Sequence, residues 1–376
     1  MENAVAIFCT GYFYYPPIFV AEENILWKQR PCNKINAYRD KFVICERLPK
    51  LECNIYISEL GAITFELNSK SKQYLIGTRH SISQDLDAKN IEERIRPTQR
   101  FVEIANTFNV CIFNNAVRSN AGVLIQRMMQ VYSNDFFFCN PKDQCISRGY
   151  GGKISSNLKM RMEQYQTFDH IHFEYVPKNL VELAISEFKE VLNKDNLPNS
   201  TNITDLPSLT SMISLTNSAS IEYNLLEFGQ SIIQSFAVIE ALCFHWWMEI
   251  AVNIAKASSD FETQPNLLQG LKTNSTKKIA KSWLKSYQNN DLINWHPSIS
   301  YIINALNEKE IIPSSLFNKI DRTRIARNRW IHSKIMVNLE DVEYGLDAAS
   351  GLIKERYQYE MFTSNGCNLV HLQFNS

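Results

Sequence analysis

With 376 residues, 45% of them hydrophobic and 21% charged, the chain is long enough to bury a full core and has the composition of a globular protein of two domains. Its 39 basic residues are matched by 39 acidic ones, which excludes a general polyanion-binding character, so any contact with nucleic acid has to come from a local patch. Nine cysteines, an odd number with no CxxC pair, sit in apolar runs such as Val110-Cys111-Ile112-Phe113 and argue against a disulfide framework and for a reducing cytoplasm.

Met1-Glu2-Asn3-Ala4 lacks the basic start of a signal peptide, and Pro16 and Pro17 interrupt the apolar segment that follows. Secretion is not expected. From Ala4 to about Leu75 short β-branched and aromatic runs alternate with turn residues, which predicts a sheet. Ile55 and Ile57 alternate with Tyr56 and Ser58, Gly61 breaks the run, and Ala62 to Leu67 resumes it as a hairpin. The aromatic run Tyr12 to Tyr15 reads as sheet and turn packing ahead of a base-stacking platform. Charges and spacing from Ala88 to Thr107 predict a helix broken at Pro97, with strands at Val110 to Phe113 and Asp135 to Cys139. The Gly-rich loop Ser147 to Lys153 fails the P-loop pattern, because Ile154 stands where a Ser or Thr would hold magnesium. His170, His172 and Glu174 share one face of an extended segment, a metal-ligand set only if further ligands come from elsewhere. An amphipathic helix follows, with Leu180, Leu183, Ala184, Phe188 and Val191 at helical spacing.

Residues 196–219 contain Pro198 and Pro207 and are rich in Asn, Ser and Thr, so they read as a linker between domains 1–195 and 220–376. Beyond it the pattern is helical. One long helix is expected from about Ser220 to Lys256, where Leu225, Ile232, Phe236, Ile239, Cys243 and Trp247 recur near helical spacing. Its apolar centre, Ile232 to Ile254, carries Glu240, His245 and Glu249, each costly in lipid, so it predicts a buried helix and no membrane span. Glu240 is expected to be buried or half-buried and to hold Arg324, Arg327 or the His332 tautomer, with an exposed helix face as the alternative. Further helices are predicted over Thr276 to Tyr287, Ser298 to Leu306 and from Pro313 onward. Asn338-Leu339-Glu340-Asp341 reads as the capped start of a last one reaching about Tyr359. The fold class is therefore α+β: a strand-rich mixed first domain, then a bundle of five helices.

The stretch Ile325 to His332 concentrates more ionisable chemistry than any other. Lys319, Arg322, Arg324, Arg327, Arg329 and Lys334 face only Asp321 within this window. Arg324, Asn328 and His332 repeat at four-residue spacing, whereas Arg327 and His332 are five apart and would lie roughly 140° from each other around a regular helix. They converge only at a distorted turn, on a bridging substrate, or across two copies of the helix. An imidazole of pKa about 6.5 can move a proton near neutrality, and a guanidinium grips phosphate oxygens through a planar fork. Such a pair suits transphosphorylation of RNA, with His332 as acid or base, Arg327 on the phosphate and Asn328 in support. Arg329 and Lys334 would bind neighbouring phosphates. The nucleophile lies in the substrate, so neither metal nor cofactor is required.

Arg327-Asn328-Arg329-Trp330-Ile331-His332 resembles the signature of the HEPN superfamily, an Arg, a polar residue and a His a short fixed distance on. The resemblance covers residues 220–376, includes the long helix bearing Ile239-Glu240-Ala241-Leu242, and is nearest to the ApeA-like group of anti-phage defence proteins. It implies an all-helical domain, a homodimer that brings two motifs together, and metal-independent endoribonuclease activity in abortive infection. The Gly that often follows the motif His is replaced here by Ser333 and Lys334. On this reading the first domain senses or positions a phage component, nucleotide or RNA. Two rival readings are a non-catalytic module that holds RNA or nucleotide on the same basic patch, and a metal-dependent enzyme built on His170, His172 and Glu174.

Overall fold

The computed structural model describes residues 8–13, 18–21, 42–58, 61–68, 76–78, 95–119, 130–132, 136–139, 174–195, 207–257, 270–288 and 297–363. The Gly-rich loop 147–153, His170 and His172 lie outside these residues. Two compact units divide the chain, Met1–Lys194 and Asp195–Ser376. Strands occur in the first and helices fill the second, which makes the chain α+β.

In the first unit, β1 (Phe8–Phe13), β3 (Phe42–Leu48), β4 (Cys53–Ser58), β5 (Ala62–Leu67) and β8 (Phe137–Cys139) form an antiparallel sheet in the order β3-β4-β5-β1-β8. Strand β2 (Ile18–Ala21) pairs in parallel with β9 (Glu174–Pro177), and β6 (Ile76–Thr78) pairs with β7 (Ile95–Pro97). The β4–β5 hairpin lies where the alternation placed it. Gly61 turns the chain at φ 79°, and the Ser58 hydroxyl accepts the Ala62 N–H at 2.8 Å. Alternation then buries Cys53, Ile55 and Ile57 on one face.

Helix α1 (Gln99–Arg118) corrects one expectation, since Val110 to Phe113 are helical and not a strand. A four-residue apolar run fits either state, and here the Thr98 cap, whose hydroxyl accepts the Phe101 N–H at 3.3 Å, starts a helix that continues through it. Phe101 meets Phe65 of the sheet edge-on at 5.1 Å, and Phe108 meets Phe188 of α2 (Lys178–Lys194) at 5.2 Å. Each such buried Phe contributes about 1.5–3 kcal/mol of transfer free energy. Glu187 ties the two helices by accepting from Asn114, Asn115 and Arg118. Leu183, assigned to the apolar stripe of α2, is instead exposed.

The second unit holds six helices among the described residues: α3 (Leu209–Asn224), α4 (Phe228–Ala257), α5 (Asn274–Gln288), α6 (Ile299–Glu308), α7 (Ser314–Asn328) and α8 (Leu339–Tyr357). The sixth comes from the supposed linker, because residues 209–219 belong to α3 and are not a connector. Thr210, Ser214, Thr216 and Asn217 are buried, and the hydroxyl of Thr216 donates to the Met212 carbonyl at 2.9 Å. The Ala219 carbonyl accepts from Ser231 at 2.7 Å, while Asp195 takes the Leu209 N–H and Thr210 hydroxyl at 2.8 and 2.9 Å. Composition imitates a linker wherever a polar helix satisfies its hydroxyls internally. The expected helix from Ser220 is likewise two helices. Leu226 at φ 63° breaks it, and Leu225 and Leu226 are exposed.

Trp247 of α4 meets Trp283 of α5 and Tyr301 of α6 edge-on at 6.2 and 5.3 Å, which gathers these three helices. Glu308 then holds the start of α5, accepting from the Lys272 N–H at 2.7 Å, the Thr273 N–H at 3.4 Å and the Thr276 hydroxyl at 2.8 Å. Burial opposes its ionisation, but these donors outweigh burial and hold its pKa below the ordinary glutamate value. A lowered folded pKa gives stability that is present above the unfolded value of about 4.3 and lost as pH falls through the folded one. Glu308→Ala should therefore lower Tm at pH 7, and thermal melts should show the gap from wild type closing as pH drops below about 4. No helix among the described residues is long and apolar enough to cross a membrane.

Candidate functional site: a π turn between two clamped helices

Helix α7 begins after Pro313 and turns Leu316, Ile320, Thr323 and Ala326 inward. That stripe leaves the charged residues of the basic window on its flanks and outer face. Three of these cations are neutralised. Lys319 binds Asp347 at 2.7 Å, Arg324 donates twice to Asp321, and Arg322 lies between Glu340 and Asp341 while its guanidinium stacks on Tyr344 at 4.4 Å. Those two carboxylates hold the Arg322 pKa above its ordinary value. Most of the partners come from α8, so a count taken within the window overstated its charge. The same pairs fasten α7 to the start of α8, where the Asn338 cap accepts the Asp341 N–H at 2.8 Å.

Arg327, Arg329 and Lys334 have no carboxylate partner among the described residues. All three belong to the motif segment. Arg327 lies half-buried with its guanidinium 5.3 Å from the centre of the Phe236 ring, and donates to Asn328 Oδ1 at 3.0 Å. Asn328, expected in support of the pair, accepts from the guanidinium through its side-chain carbonyl oxygen. His332 and Arg329 are exposed, and the Lys334 ammonium is 6.0 Å from the centre of the Trp330 ring.

The backbone here departs from an α-helix. Arg329–Ser333 is a π turn, ended by Lys334 in the left-handed region at φ 53°, with the Ile335 N–H returning to the Arg329 carbonyl at 3.4 Å. A π turn closes over residues five apart instead of four, so it draws positions i and i+5 toward a common face. Arg327 and His332 have that spacing, but Arg327 lies in the last turn of α7, two residues ahead of the π turn. A distorted turn, named from sequence as one route to convergence, is present over the second half of the motif, Arg329 to His332. Lys334 occupies the left-handed position where a Gly would carry no steric cost.

Trp330 anchors the turn. It packs with Tyr223 and Phe228 against a buried cluster of Ile232, Ala326, Val337 and Val342. Beneath its indole is Gly229 in the first turn of α4, where an added Cβ would lie 2.4 Å from Trp330 Cε2. Burial, with a hydrogen bond to Glu343 at 2.9 Å, pushes Tyr223 up to about 12, so this support stays uncharged at any ordinary pH.

Glu240 departs from the expectation of a buried partner. It is exposed on α4 in line with Ala237, while Ile232, Phe236, Ile239, Cys243 and Trp247 supply the buried stripe. Arg324 takes Asp321 in its place. Among the residues that sequence reasoning missed, Phe236 and Gly229 matter most. Phe236 was read from its spacing only as core, and a glycine inside an apolar helix is the visible signal for Gly229, since it costs helix stability unless something packs on it. Among the described residues, no group of three or more His, Cys, Asp or Glu is arranged to hold a metal ion. No protein-family model, curated protein or solved structure matches the chain.

Proposed function

We propose that the chain is a metal-independent endoribonuclease of the HEPN type. The 2′-hydroxyl attacks the adjacent phosphodiester, the new 2′-O–P bond forms as the P–O5′ bond breaks, and a cyclic 2′,3′-phosphate remains. His332 takes the hydroxyl proton or supplies one to the leaving 5′-oxygen, and in a homodimer two motif copies can divide these tasks. Arg327, held by Asn328 and the Phe236 ring, stabilises charge gathering on the phosphate. Arg329 and Lys334 grip flanking phosphates.

One observation carries the reading. Where the other cations of the window are paired, Arg327, Arg329 and Lys334 have no carboxylate partner among the described residues, and all three lie within five positions of an exposed imidazole on a π turn. The same reading takes the six helices as a HEPN-like bundle and the protein as a cytoplasmic defence nuclease. The strand-containing unit then answers a phage-derived or nucleotide trigger. In a chimeric RNA with one 2′-deoxyribose on the 5′ side of the cut, cleavage at that bond should fall to background while other bonds are cut normally. Equal cleavage of deoxy and ribo bonds would remove the mechanism.

A further inference from the structure

The segment 334–338 leads from the π turn into α8 and is anchored on both sides of two exposed apolar residues. At its start the Lys334 N–H donates to the Trp330 carbonyl at 3.1 Å and the Ile335 N–H to the Arg329 carbonyl at 3.4 Å, which holds the chain against the motif. At its end Val337 is buried in the cluster on which Trp330 packs, and Asn338 caps α8. Between these anchors Ile335 is 55% exposed and Met336 85%, the most exposed of the large apolar side chains among the described residues.

Two consecutive apolar side chains kept in water add nothing to the fold, since Val337 and the Asn338 cap already fix the path of the chain. Their neighbours say what they meet. Lys334 precedes them and Arg329 bonds Ile335 through its backbone, and neither cation has a carboxylate partner among the described residues. Unpaired cations beside apolar groups complement a single strand of RNA, the cations taking its phosphates and the apolar groups its base faces. Attack by a 2′-hydroxyl needs the 2′-oxygen, the phosphorus and the leaving 5′-oxygen in line, and a stacked strand holds the 2′-oxygen off that line. The two bases at the cut must therefore part. Ile and Met are among the side chains that enter base steps and unstack them.

We propose that Ile335 and Met336 form an apolar wedge that enters the base stack beside the cleaved bond and holds one step open, which makes them positioning residues for the reaction. The wedge rests on the ribonuclease reading for the bond it serves, and on the loop alone for the unstacking. Its test uses the full chain and a 2′-fluoro oligoadenylate, which stacks but carries no nucleophile. A 2-aminopurine placed at each position in turn reports unstacking by a rise in fluorescence. Binding should brighten the probe severalfold. The double variant Ile335→Ser, Met336→Ser should still bind through the cations, at unchanged Tm, and leave the probe dark. On cleavable RNA the same variant should lower kcat by at least about tenfold and keep KM within about twofold, because the wedge acts on the step while the cations supply affinity. Met336→Leu should retain both the brightening and the rate. Equal brightening in wild type and the double variant would overturn the wedge, as would no binding or binding without brightening; self-association lost in that variant, read by sedimentation, would then give the surface to a second copy. Brightening that the double variant abolishes, in a protein that cuts no RNA, would leave the wedge standing and remove only the nuclease reading. Cleavage to cyclic ends at an unchanged kcat in the double variant would do the reverse.

Discussion

His332→Ala and Arg327→Ala should each lower RNA cleavage by about 10²- to 10⁴-fold, the range for a lost proton-transfer group or a lost charge stabiliser. The two variants should differ in stability. His332 is exposed, so its removal should change folding free energy by no more than about 0.5 kcal/mol. Arg327 covers the Phe236 ring, and its loss should cost about 0.5–1 kcal/mol. Arg327→Lys keeps the charge without the fork and should recover only part of the rate. Single-turnover cleavage rates measured alongside denaturant melts check all three. Full activity in both alanine variants would mean that the motif is a helix end and nothing more.

Gly229→Ala should have the largest effect of any change outside the motif. Its Cβ would lie 2.4, 2.5 and 2.7 Å from Cε2, Cζ2 and Nε1 of Trp330, and an indole wedged over a helix cannot yield as a flexible side chain does. Overpacking of this kind costs about 1–3 kcal/mol. The indole must shift, and with it the π turn that carries His332, so cleavage should fall by at least about tenfold. Trp330→Leu removes the obstructing ring. In that background Gly229→Ala should cost clearly less stability than in wild type, a coupling that a double-mutant cycle reads directly. Additive effects would show that the indole is not what holds the turn.

The sequence made some of this legible and concealed the rest for physical reasons. Strand alternation at Ile55 and Ile57 placed the hairpin, and the Asn338 cap placed α8, because both signals depend on neighbours in the chain. Val110 to Phe113 misled, since complete burial erases the periodicity that separates helix from strand. Residues 209–219 misled in the opposite sense, the hydroxyls of Thr216 and Thr210 being satisfied by a helical carbonyl and by Asp195. At the site, the motif residues were visible as a charge cluster, but their environment was not. Which cations keep their charge uncompensated depends on Glu340, Asp341 and Asp347 of α8. Glu240 looked buried because its chain neighbours are apolar, whereas on the helix it falls in the exposed strip with Ala237. The π turn left no compositional trace, and only the five-residue spacing of Arg327 and His332 hinted that a regular helix would not serve.

Incubating the purified full-length chain with total RNA in excess EDTA and determining the fragment termini tests the central claim most directly. Cleavage that ignores the chelator and leaves cyclic 2′,3′-phosphates opposite 5′-hydroxyls is the predicted result. Intact RNA, or fragments ending in 3′-hydroxyl and 5′-phosphate, would contradict it.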